Sequence, residues 1–79
     1  SQPWNRRYRE YTEMLKSGSP IKVAKVLRDL AKVRSDKGEL SYGEKKLMEQ
    51  ARKLLITELA LARRVREETV EKDIDKILH

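Results

Sequence analysis

The stretch Leu40-Ser41-Tyr42-Gly43-Glu44-Lys45-Lys46-Leu47-Met48-Glu49-Gln50-Ala51-Arg52-Lys53-Leu54-Leu55 decides the fold. It opens on a capping box, in which the Ser41 hydroxyl accepts from the Glu44 amide while the Glu44 carboxylate reaches back to the Ser41 amide. Leu40, just before the cap, is placed to pack on the first turn as a staple. Beyond the box, Leu47, Met48, Ala51, Leu54, Leu55, Glu58, Leu59 and Ala62 continue at helical spacing, which predicts a helix from Tyr42 to about Arg64. More than twenty residues leaves room for a kink or a split, and no proline or glycine marks where it would fall.

Upstream, the same logic gives two more helices. Pro3 suits a first helical turn, and Trp4, Tyr8, Tyr11 and Leu15 follow at steps of four, three and four on one face, predicting a helix over about 3–16. Ser17-Gly18-Ser19-Pro20 stops it and starts the next, with Gly18 as the left-handed stop, Ser19 as cap and Pro20 in the first position. A second helix over about 20–35 carries Ile21, Ala24, Leu27, Leu30 and Ala31 on a stripe widened by Val23, Val26 and Val33. Asp36-Lys37-Gly38 breaks it. Downstream, Val70, Ile74, Ile77 and Leu78 predict a closing helix over about 67–78, with acidic Glu67, Glu68 and Glu71 near its start but no Ser, Thr, Asp or Asn before it as cap. The expected fold is all-α, a compact bundle of four or five helices in a single domain over residues 1–79. Its core is expected to centre on Leu27, Leu30, Leu47, Ala51, Leu54, Leu55, Leu59 and Ile74.

Length and composition narrow the function. A chain of 79 residues, 41% charged and 38% hydrophobic, buries roughly 60% of its unfolded surface, which leaves little volume for an enclosed substrate pocket. With no cysteine it has neither a disulfide nor a Cys-based zinc site, so helix packing must carry the fold. The apolar runs are far shorter than the ~20 residues of a membrane-spanning helix, and the reading is of a soluble, cytoplasmic protein without a membrane partner. The chain opens on Ser1-Gln2-Pro3-Trp4 rather than on methionine, as expected of a piece of a longer protein. Its lone histidine, His79, is terminal and poorly placed for a base or ligand. Arg6 and Glu10, Arg9 and Glu13, and Glu49 and Lys53 are spaced as surface helix pairs worth ~0.2–0.5 kcal/mol each. The three glycines lie at helix ends and form no phosphate loop. Neither an enzyme nor a cofactor is expected.

Charge is distributed unevenly. Residues 1–66 carry 17 basic and 8 acidic side chains, net +9, and residues 67–79 carry 2 and 5, net −3. A surface that meets polyanion fits this imbalance, as does a solvated helical surface. The sharper feature is Trp4-Asn5-Arg6-Arg7-Tyr8-Arg9, an aromatic ring and three guanidinium groups within two helical turns. Arginine suits phosphate, and an aromatic ring can wedge between bases. Spacing equally allows Trp4 to be a core or cap residue. Lys45 and Lys46, with Arg52 and Lys53 two turns on, are either a second basic contact or a charged face in solvent.

Four motifs together resemble one family. Trp4-Asn5-Arg6-Arg7-Tyr8-Arg9, Val26-Leu27-Arg28-Asp29-Leu30, Leu40-Ser41-Tyr42-Gly43-Glu44-Lys45-Lys46-Leu47-Met48 and Glu58-Leu59-Ala60-Leu61-Ala62 are similar, in order and spacing, to the C-terminal helical domain of the CarD/CdnL family of bacterial RNA polymerase-binding transcription regulators. The resemblance implies an N-terminal Tudor-like domain, not present in this chain, that binds RNA polymerase. It also implies a helical domain that contacts promoter DNA at the upstream edge of the transcription bubble. Trp4 matches the family's minor-groove wedge; Arg6 and Lys45 match its basic contacts, and Arg7, Arg9 and Lys46 join them by proximity and charge. The expected DNA-binding residues are therefore Trp4, Arg6, Arg7, Arg9, Lys45 and Lys46, in a monomer. The alternative from another class is a helical interaction module whose exposed aromatic and basic residues engage an acidic protein partner.

Overall fold

The computed structural model describes residues 2–78 and consists of four helices: α1 (Gln2–Lys16), α2 (Pro20–Lys37), α3 (Tyr42–Arg63) and α4 (Glu67–Leu78). His79 lies outside the described residues. The all-α bundle expected from the periodicity is the one observed, with α3 running unbroken through 22 residues. No helix among the described residues is long and apolar enough to cross a membrane.

Local chemistry explains most of the boundaries. Ser19 caps α2 by accepting from the Lys22 amide at 3.3 Å, with Pro20 in the first turn. Both halves of the Ser41 and Glu44 capping box are closed, at 2.8 Å from the Ser41 amide to Glu44 Oε1 and 3.3 Å from the Glu44 amide to Ser41 Oγ. α2 outlasts its expected end by two residues, through Asp36 and Lys37, because Gly38 makes the stop. Gly38 adopts φ +89° and its amide donates to the Arg34 carbonyl at 2.7 Å.

α3 ends at Arg63, close to the expected Arg64, and its stop uses no glycine. Arg64 takes the left-handed conformation at φ 57°, and the amides of Arg64 and Val65 donate to the carbonyls of Leu61 and Ala60 at 3.4 and 3.1 Å, a Schellman closure. An L side chain in this conformation costs ~1 kcal/mol or more. Arg64→Gly is therefore expected to stabilise the domain by about 0.5–1 kcal/mol, raising the melting midpoint by a few degrees in a thermal scan. α4 then starts without a side-chain cap: the amides of Thr69 and Val70 donate to the Arg66 carbonyl, and Glu67 and Glu68 meet the positive end of the helix.

Packing centres on the α2 and α3 pair, with α1 against both and α4 folded back along α3. Val26, Leu30 and Ala51 are wholly buried, and Leu27, Leu47, Leu55, Val70 and Ile74 nearly so. α4 is fastened by Arg52, whose Nε and Nη2 grip the Asp75 carboxylate at 3.0–3.2 Å and whose Nη2 also reaches Glu71 at 3.0 Å. Burial disfavours the Arg52 charge, but the hydrogen bonds it donates to Asp75 and Glu71, with their negative charge, outweigh it and raise its pKa. Arg63 adds a looser pair with Asp73 at 3.7 Å. The intrahelical pairs Arg6–Glu10, Arg9–Glu13 and Glu49–Lys53 are not among the ion pairs of the described residues, which run mainly between helices.

Four apolar expectations need correction. Leu54 is 41% exposed and Leu59 only partly buried, while Ile56 and Ala60 are buried instead. Along α3 the buried face begins on Glu44, Leu47 and Ala51 and turns toward Ile56 and Ala60, so a straight stripe drawn from Leu47 misses it. Ile21 and Ile77, each counted on an inward stripe, are 78% and 82% exposed. The buried face of α2 centres on Val23, Val26, Leu27 and Leu30, which leaves Ile21 at its edge.

Candidate nucleic-acid interface

Trp4, the central residue of the candidate site, lies near the start of α1. The inward face of that helix carries Trp4, Tyr8, Tyr11 and Leu15. Tyr11 and Leu15 are buried, whereas Trp4 is half-buried and Tyr8 exposed. Trp4 is thus a core-edge residue: one portion of the ring packs on the core, and the rest meets solvent. Tyr8, one turn on, meets the indole edge-on at 5.8 Å between centroids.

What fixes the indole comes from α3. Gly43, in the first turn of that helix, has no side chain, and a Cβ built there would stand 3.2 Å from Trp4 Cζ2. The glycine that a helix interior would ordinarily disfavour is the seat for the ring. Glu44, the next residue, is almost wholly buried, and its second carboxylate oxygen faces Arg7 Nη2 at 3.8 Å. The Arg7 guanidinium also lies over the Trp4 ring, 5.9 Å from its centroid. Arg7 Nε is buried without a hydrogen-bond partner among the described residues. Arg7 therefore spans from Glu44 to Trp4 and joins the starts of α1 and α3, with 43% of its side chain still exposed.

The Glu44 carboxylate is held ionised. The hydrogen bond from the Ser41 amide lowers its pKa below the ordinary 4.5, burial opposes this, and the Ser41 hydroxyl, Lys37 and Arg7 reinforce it. Burial pushes the neighbouring Tyr11 phenol up, aided by Asp29.

The remaining basic candidates fall into two groups. Arg6 and Arg9 are exposed, three residues apart and so adjacent on the outer face of α1. Lys46 is exposed three residues beyond Gly43, with its ammonium 5.5 Å from the centroid of the exposed Tyr42 ring. Lys45 projects to another flank, lining a shallow groove with Leu40, Met48 and Arg52. Arg52, considered with Lys53 as part of the same basic row, is engaged by Glu71 and Asp75 instead. Three residues of the candidate site have no such role in the sequence reading: Glu44 appears there only as a cap, Gly43 only as a helix-end glycine and Tyr42 only as a helix start, although an aromatic residue near Lys46 is a usable signal.

Comparison with known proteins bears on this geometry. The family model for the C-terminal domain of CarD matches residues 1–75. The putative transcription factor YdeB of Bacillus subtilis (strain 168) is 33% identical over 69 residues, which cover 87% of this chain and 44% of that protein. The chain thus spans less than half the length of this relative. The family match runs from the first residue, through the Trp4 and Gly43 contact, into the fourth helix, and the chain belongs to the CarD C-terminal domain family.

Proposed function

We propose that this chain is the DNA-contacting domain of a transcription regulator, in which Trp4 wedges into the minor groove at the upstream edge of the promoter bubble. The observation that carries the reading is the bracing of Trp4. A half-buried indole is held against Gly43 and under Arg7, with Arg6 and Arg9 exposed on the outer face of the same helix. Membership of the CarD C-terminal domain family and the likeness to a putative transcription factor support it.

The chemistry divides between two kinds of group. Arg6, Arg9, Lys45 and Lys46 bind phosphates and set position with little sequence information. Arg7 braces the indole and keeps an exposed edge for a phosphate. The ring gains contact only where base steps are unstacked, so it binds distorted or melted DNA more tightly than duplex. That difference alone shifts the opening equilibrium, and a few kcal/mol suffices to prolong an open complex. No bond is made or broken by the domain. RNA polymerase does the opening in the cytoplasm, and a Tudor-like domain elsewhere in the full-length protein supplies the tether and hence the effective concentration at the promoter.

Binding of the chain to fork-junction DNA and to duplex of the same sequence, followed across a salt series, tests the proposal. Weak binding that favours the fork and falls steeply with salt is expected. Absence of binding even at low salt would move the reading to the interaction module.

A further inference from the structure

We infer that the groove between α2 and α4 is a second binding surface, separate from the Trp4 face, and that it takes an amphipathic helix with acidic flanks from a protein partner. The groove has a volume of about 670 Å³, is floored by Leu27, Leu55 and Ile74, and is edged by Ile21 and Ile77. Those two edge residues sit where helical periodicity calls for burial, yet they are among the most exposed large apolar side chains of the domain. They come from different helices and border one groove, so a single missing partner accounts for both.

Charge identifies the partner. Lys25, Arg28 and Lys32 line the α2 side at steps of three and four, which places them in one row along the groove. Lys25 and Lys32 have no ion-pair partner among the described residues, and Arg28 has only its neighbour Asp29 at 4.0 Å, with both side chains well exposed. An apolar floor beside a basic row matches a helix with an apolar stripe flanked by Glu or Asp. Two copies of this chain meeting groove to groove would set their basic rows against each other. Nucleic acid would satisfy the cations but leave Ile21 and Ile77 uncovered.

The test uses the isotopically labelled chain and a fluorescent helical peptide with leucines at steps of three and four flanked by glutamates, beside a twin with lysines for the glutamates. The acidic peptide should bind at least about tenfold more tightly than its twin, with amide shifts concentrated in residues 20–32 and 74–78. Ile77→Asp should weaken it by about tenfold. Since Ile77 is exposed, the melting midpoint should not move. Lys25→Glu with Lys32→Glu should transfer the preference to the lysine peptide. Equal binding of both peptides, shifts elsewhere, the same shifts produced by duplex DNA, or a dimer dissolved by Ile77→Asp would each overturn the inference.

Discussion

Leu30→Ala is expected to cost about 2–5 kcal/mol, enough to lower the melting midpoint by ten degrees or more and to leave a domain of this size partly unfolded near physiological temperature. Leu30 is wholly buried in α2 and belongs to the core where α2 packs on α3. Truncation removes the apolar contact and leaves a cavity between helices that cannot close without moving both. Leu54→Ala is the internal control. It shares residue type and helical setting, but its exposure limits the loss to well under that of Leu30→Ala. Thermal unfolding of both variants separates the two, and equal losses would show that the inward face of α3 has been drawn wrongly.

Glu44→Ala should have the next largest effect, about 1–2 kcal/mol. The change deletes the acceptor for the Ser41 amide and leaves Arg7 without its carboxylate. Because the folded value of the Glu44 pKa lies below its ordinary 4.5, its contribution is complete above that value and disappears as pH falls through the folded one. The wild-type chain should therefore lose part of its stability on acidification below about 4.5, and Glu44→Ala should lack that portion. Glu44→Gln separates the two roles, since an amide can still cap Ser41 but carries no charge for Arg7. Its melting midpoint at neutral pH should fall by less than that of Glu44→Ala, and the acid limb should flatten because the charge-linked portion is gone. Tryptophan emission adds an independent readout: Trp4 is the only tryptophan of the chain, and loosening Arg7 should shift its spectrum.

Legibility from sequence followed how local each signal is. The helix starts at Ser19 and Ser41 and the stop at Gly38 are each written within four residues, and all three were readable. The stop at Arg64 is readable only as the place where the apolar spacing runs out, because an arginine in the left-handed conformation leaves no compositional trace. Leu54, Ile21 and Ile77 were misplaced for a different reason. Periodicity fixes which residues share a face, but the direction a face looks depends on which helices pack there, and the buried side of α3 turns along its length. The candidate site shows the same division. The cluster of Trp4 with Arg6, Arg7 and Arg9 is contiguous and stood out at once. Nothing local links residue 4 to Gly43 or residue 7 to Glu44, so the seat and the brace of the indole emerged only from packing.

The most direct test of the central claim is the lifetime of open promoter complexes formed by RNA polymerase with the full-length protein carrying either Trp4 or Trp4→Ala. Part of the indole packs on the core, so the variant must first be shown to melt cooperatively, and Trp4→Phe serves as the variant that keeps an apolar ring. Our account predicts that the wild-type protein prolongs the lifetime, that Trp4→Phe keeps part of the effect, and that Trp4→Ala loses most of it while polymerase binding is unchanged. A folded Trp4→Ala protein that prolongs the open complex as much as wild type would contradict the wedge.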